Sequence, residues 1–123
     1  MGKKIQSFGE FIRVKREALG KTIRGFASEL NITPAYLSDI EKENRQPPEK
    51  YLEAIAAGLH ITGDELNLYY DLAGADRKGN FTDINEYISG RKVARVALRT
   101  ARDYKITDKQ WEAFIEDIKK NNE

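Results

Sequence analysis

Residues 22–41 read Thr22-Ile23-Arg24-Gly25-Phe26-Ala27-Ser28-Glu29-Leu30-Asn31-Ile32-Thr33-Pro34-Ala35-Tyr36-Leu37-Ser38-Asp39-Ile40-Glu41, and their spacing decides the fold. Two helices are expected here, 22–30 and 33–43, with only Asn31 and Ile32 between them. A joint this short forces a sharp turn between the helices. Asn31 is among the few non-glycine residues that tolerate the left-handed backbone such a turn commonly needs. Ala27 is small enough to let the two helices approach, and Phe26, Leu30, Leu37 and Ile40 are expected to face a core. Thr33 is the expected N-cap of the second helix, with Pro34 at the first helical position, where its missing N–H costs nothing.

Outward from this pair the chain continues as helices with explicit start signals. Ser7-Phe8-Gly9-Glu10 has the form of a capping box. Phe8, Ile12 and Leu19, with Phe11 and Ala18 beside them, give an apolar face that Gly20 ends. The Ile-Thr pair before Leu37 recurs as Ile61-Thr62 before Glu65 and Leu66, and as Ile106-Thr107 before Gln110 and Trp111. In each, threonine is the predicted N-cap and the flanking apolar residues form a hydrophobic staple, with a full capping box in the last two. The intervals of 29 and 45 residues are uneven, so this is capping chemistry and not a structural repeat. Helices are expected at 7–19, 22–30, 33–43, 48–59, 63–73, 83–89, 92–104 and 107–119. No stretch alternates for long enough to be a strand. The segment 74–80, with two glycines and three charges, reads as a linker. The expected fold is all-α, five helices over residues 1–73 and a short helical tail over 81–123.

Composition narrows the function. A chain of 123 residues with 40% hydrophobic and 33% charged residues suits one modest globular domain with an appendage. It has no cysteine, which excludes disulfides, thiolate zinc sites and cysteine nucleophiles and fits a reducing cytoplasm. No apolar run approaches the ~18–20 residues of a membrane span, and the Lys3–Lys4 start leads into no signal-like apolar core. His60 is the single histidine, at a helix end, and no cluster of metal ligands accompanies it. No nucleophile motif, phosphate-cradling glycine loop or histidine triad is present. Pairs such as Asp64–Glu65 are explained by helix starts, where negative charge is favourable. Neither an enzyme nor a cofactor is expected.

The net charge of +1 hides a division along the chain. Residues 1–45 hold nine Lys/Arg against six Asp/Glu, residues 46–90 three against eight, and residues 91–123 nine against six. Two basic ends flank an acidic middle. Contact with nucleic acid depends on a local basic face and not on the total. Ordinary surface charge explains the counts equally well.

The pattern Thr22-x-x-x-Phe26-Ala27-x-x-Leu30-Asn31-Ile32-Thr33-x-x-Tyr36-Leu37-Ser38-x-Ile40-Glu41, followed by Asn44-Arg45-Gln46-Pro47, resembles the Cro/phage-repressor (XRE-type) helix-turn-helix family. The resemblance covers residues 7–73. It implies a five-helix phage-repressor-like domain whose helix 33–43 enters the major groove of double-stranded DNA. Glu41 matches the glutamate that pairs with a helix-one arginine, here Arg16. Two departures bear on base reading. Ile23 stands where glutamine often braces against phosphate, and Pro34 and Ala35 stand where polar readers often begin the recognition helix. Glu43 replaces the usual glycine. Base contact therefore falls to Tyr36, Ser38, Asp39 and Lys42, with Ala35 against a thymine methyl. Lys21, Thr22, Arg24, Thr33, Asn44 and Arg45, at helix ends and loops, are the expected phosphate contacts. An antiparallel helix pair in a plain bundle is the competing reading of the same residues.

The tail, through Glu86-Tyr87-Ile88, residues 93–101 and Trp111-Glu112-x-Phe114-Ile115, is similar to tails of short XRE-type regulators. Lys92, Arg95, Arg99 and Arg102 share a helix face opposite Val93, Ala97, Ala101 and Tyr104. That face reads as solvated, or else as a second DNA-backbone or acidic-partner contact. Trp111, Phe114, Ile115 and Ile118 form a 3–4 stripe, expected to be core or an interface with a second copy or a partner. The functions left open are a transcriptional regulator, in particular a homodimeric repressor; an antitoxin whose tail binds a toxin; and an adaptor that has lost DNA binding.

Overall fold

A computed structural model describes residues 7–123; the Lys3–Lys4 pair lies outside them. Among the described residues there are eight α-helices and no strand. They are α1 (Phe8–Ala18), α2 (Ile23–Leu30), α3 (Pro34–Glu41), α4 (Leu52–Gly58), α5 (Asp64–Asp76), α6 (Thr82–Ser89), α7 (Lys92–Asp103) and α8 (Asp108–Asn121), with a 3₁₀ turn at Glu49–Tyr51 before α4. The chain divides into two compact units, one ending at Asn85 and the other Glu86–Glu123.

The first unit closes around Phe8, Phe11, Ile12, Phe26, Leu37, Ile40, Ile55 and Tyr69, all nearly inaccessible. These come from α1 to α5, so each amphipathic helix turns its apolar stripe to one shared core. Gly9 lies where α1 meets the end of α3, and a Cβ there would stand 2.6 Å from the carbonyl oxygens of Ile40 and Glu41. The Tyr69 hydroxyl, fully buried, donates to the Leu52 carbonyl at 2.6 Å. Phe8 and Tyr70 pack against its ring, each with centroids 5.1 Å away.

Several start signals differ from the sequence expectation. Ser7 Oγ accepts from the Glu10 N–H at 3.1 Å, as expected of the cap, and the Phe8 N–H, which a capping box does not use, is taken by Asp76 Oδ2 at 3.0 Å, from the far end of α5. A long-range carboxylate thus serves the start of α1. The expected cap at Thr62 is not formed. Gly63, at φ +62°, is the residue before α5 and no side chain caps it, because the chain enters through a backbone only glycine adopts readily. Thr107, by contrast, makes the full box with Gln110.

The expected linker at 74–80 is also corrected. α5 continues to Asp76, three residues past its predicted end, and Phe81 lies directly over Gly74, leaving no room for a Cβ. Arg77 Nη1 donates to the Pro47 carbonyl at 2.9 Å and so holds the loop that follows α3. Gly74 is a site of close packing and not a helix breaker. α3 in turn ends two residues early, at Glu41, with Glu43 left-handed at φ +65°.

In the second unit no residue is buried. Arg95 Nη1 donates to the Ile88 and Ser89 carbonyls at 2.6 and 2.8 Å, capping the end of α6. One member of the expected basic face is therefore committed to holding the α6–α7 corner.

Candidate nucleic-acid interface

The turn between α2 and α3 is closed by backbone geometry. Asn31 sits at φ +57°, ψ +41°, and the Ile32 N–H returns to the Ala27 carbonyl at 3.0 Å. Thr22 caps α2, accepting from the Gly25 N–H at 2.9 Å, and Thr33 caps α3, accepting from the Tyr36 N–H at 3.1 Å. With Ala27 fully buried, the two helices lock at a fixed crossing. α3 therefore has one face it cannot turn away from the core. Leu37, Ile40 and Glu41 are buried, whereas Ala35 and Lys42 are exposed and Ser38 and Asp39 half-buried.

The buried face includes a charge, which Arg16 answers. Arg16 Nε donates to Glu41 Oε2 at 2.8 Å and Nη2 to Oε1 at 3.0 Å, while Nη1 donates to the Lys21 carbonyl at 2.7 Å. This fork-to-fork pair ties α1 to the last turn of α3. Its hydrogen bonds hold the Arg16 guanidinium above its ordinary value, against the opposing effect of burial. A cleft opens above it, lined by Glu10, Arg13, Ile23, Ser38, Lys42 and Glu43 together with the pair itself.

The other sequence-predicted residues separate into two groups. Arg45 is exposed, its guanidinium 5.1 Å over the Tyr36 ring and 4.0 Å from Asp39 Oδ2. Tyr36 is half-buried, edge-on to Tyr51 at 6.1 Å between centroids. Thr22, Arg24, Thr33 and Asn44 lie exposed around α2 and α3. Lys42 is the C-cap residue of α3 and not part of the helix. Lys21 is placed differently: its ammonium bonds Glu29 at 2.8 Å and the Gly58 carbonyl at 2.9 Å, and lies 5.3 Å over the Phe26 ring. It joins α2 to α4. Arg13 was missed by sequence reasoning. It lies on α1, nine residues before the motif opens, and its only signal is the i, i+3 spacing to Arg16.

A short helix with a buried inner face, a capped start, and an outer face of small and polar side chains rimmed by arginines defines a helix-turn-helix domain. Comparison with known proteins agrees. The helix-turn-helix family matches residues 12–66. The chain is 39% identical over 59 residues to the uncharacterized HTH-type transcriptional regulator YazB of Bacillus subtilis (strain 168), a match that spans 48% of this chain and 86% of that relative. The chain belongs to the XRE-type helix-turn-helix family. No solved structure gives a significant match. None of the described helices is long and apolar enough to cross a membrane.

Proposed function

We propose that this protein binds double-stranded DNA sequence-specifically, with α3 in the major groove, and represses transcription as a homodimer. The observation that carries the reading is the two-faced character of α3. Its inner face is immobilised by Leu37, Ile40 and the Arg16–Glu41 pair. Its outer face offers Ala35 to a thymine methyl, Asp39 to the amino group of a cytosine, and Ser38 and Lys42 to base acceptors. Arg13 lines a cleft with Ser38 and Lys42, Arg45 lies 4.0 Å from Asp39, and Arg24, Thr22, Thr33 and Asn44 are exposed, available to phosphates. The regulatory role is supported by the name of the Bacillus relative. One helix-turn-helix covers one half-site, so two copies about one DNA turn apart, ~34 Å, supply useful affinity. A repressor needs only that such occupancy exclude polymerase from the promoter.

The test is affinity for a recovered genomic fragment measured from low to moderate salt. Three arginines per copy on two copies give a log–log slope of roughly −5. A flat response, or no binding at low salt, removes the proposal.

A further inference from the structure

Arg45, the cation that follows α3, stands on a short bridge between two anchors. On one side the Asn44 N–H is bonded to the Asp39 carbonyl at 2.9 Å, which ties the chain to α3. On the other side Pro47 is buried, and the Pro48 carbonyl accepts from the Tyr51 N–H at 3.0 Å at the entry to α4. Between these points Arg45 and Gln46 are exposed, and among the described residues their main-chain groups make no hydrogen bond. The bond that reaches the main chain of 45–47 comes from Arg77, whose Nη1 donates to the Pro47 carbonyl at 2.9 Å. A cleft opens beside the bridge, with Gly9, Arg45, Gln46 and Asp76 on its walls, so the bridge does not lie flat on the core.

Arg77 acts from a fixed platform. Ala73 and Gly74 are buried, Phe81 lies over Gly74, and Asp76 holds the start of α1. The Arg77 side chain is 22% exposed, and its Nη2 stands 4.0 Å from Glu49, too far for a hydrogen bond. Its Nε is buried without a partner among the described residues. Withdrawing a guanidinium from water to this degree is costly, and an apolar side chain would fill the same space without that cost. What the arginine adds is its hold on Pro47. Arg45 needs such a hold, because its side chain is 60% exposed and its contacts with Tyr36 and Asp39 are open to solvent, where each is weak.

We propose that Arg77 is a positioning residue for DNA binding: by pinning the Pro47 carbonyl it holds the Arg45 backbone where the guanidinium meets a phosphate. The inference rests on the DNA-binding reading above and adds a residue of α5's end that acts through Arg45 and not by its own contact. A cation already in place loses less freedom on binding, so the pin raises affinity without adding a contact.

The experiment is a double-mutant cycle on the full chain, read as affinity for the recovered genomic fragment at one salt concentration. Arg77→Met keeps the length of the side chain and removes its donors; Arg77→Lys returns one donor. Each is made with Arg45 in place and with Arg45→Ala, and thermal melts set the assay temperature below unfolding. Arg77→Met is expected to weaken binding about tenfold with Arg45 in place, from one side chain to be ordered in each of two copies. With Arg45→Ala the same change should cost about twofold or less, and Arg77→Lys should recover part of the loss. If Arg77→Met does not fold, Arg77→Lys carries the cycle, its smaller loss again confined to the chain with Arg45. Equal losses in both backgrounds overturn the proposal and give Arg77 a phosphate of its own or a general structural role. Unchanged affinity in Arg77→Met overturns it as well. A wild-type chain that does not bind the fragment at low salt removes the DNA reading itself, and this inference with it.

Discussion

Arg16 on α1 and Glu41 on α3, twenty-five residues apart, form a two-point ion pair at 2.8 and 3.0 Å with both side chains buried. Among the described residues it is the ion pair whose two side chains are both nearly inaccessible, 9% and 4% exposed, and it ties the last turn of α3 to α1. Removing one partner strands the other charge away from water. Glu41→Ala is expected to cost ~3–5 kcal/mol, many degrees of melting temperature for a domain of this size. Replacing both residues with apolar ones should cost much less than the two single changes added together. Additive losses in thermal melts would show that the pair is not coupled.

Glu43 follows α3 in a left-handed conformation at φ +65°, a backbone that costs a non-glycine residue ~1–2 kcal/mol. Glycine relieves this strain and gives back part of the gain as chain entropy. Glu43→Gly is expected to raise stability by up to ~1 kcal/mol, seen as a higher denaturation midpoint at unchanged slope. A lower midpoint would mean that the carboxylate makes a contact worth more than the strain.

Tyr69 links stability to alkaline pH. Burial, and to a lesser degree its neighbour Tyr70, pushes its phenol well above the ordinary value of 10.0. Because the folded state favours the protonated form, the stabilisation is complete below pH 10 and is lost as pH rises beyond it. The expected loss is ~1.4 kcal/mol for each pH unit above that point. Tyr69→Phe should cost ~1 kcal/mol at neutral pH, for the bond to Leu52, and flatten the alkaline limb of a plot of stability against pH. An unchanged limb would place the titrating group elsewhere.

Arg45 and Tyr36 are in contact, the guanidinium 5.1 Å above the ring, yet different effects are expected of them on DNA. Arg45→Ala should weaken binding to all sequences and lower the salt slope by about 2, one contact in each copy. Tyr36→Phe keeps the packing on Tyr51 and removes only the hydroxyl, so a change in site preference without a change in melting temperature would identify a reader. If Tyr36→Phe binds every site as the wild type does, the tyrosine is a structural prop for Arg45.

The existence of all eight helices and the turn at Asn31 could be read from residue order, because capping, periodicity and left-handed backbone are local properties. The Thr33 and Thr107 caps are of this kind, each closing within three residues. The inner face of α3 was legible too, since Leu37 and Ile40 recur at helical spacing. What needed the tertiary structure was every role set by a distant partner. Asp76 serves the start of α1 from 68 residues away, and Arg77 holds Pro47 from 30 away, in a stretch that reads as a linker because two glycines and three charges look the same in a loop and in a packed corner. Lys21, expected at a phosphate, also bonds Glu29 and the Gly58 carbonyl, 8 and 37 residues away, partners that no local pattern before α2 reveals. The Trp111–Ile118 stripe shows the same boundary. Spacing marks an apolar side, but whether that side is covered depends on what packs over it, and only the folded chain reveals Phe114 half-exposed where Ile40 is sealed.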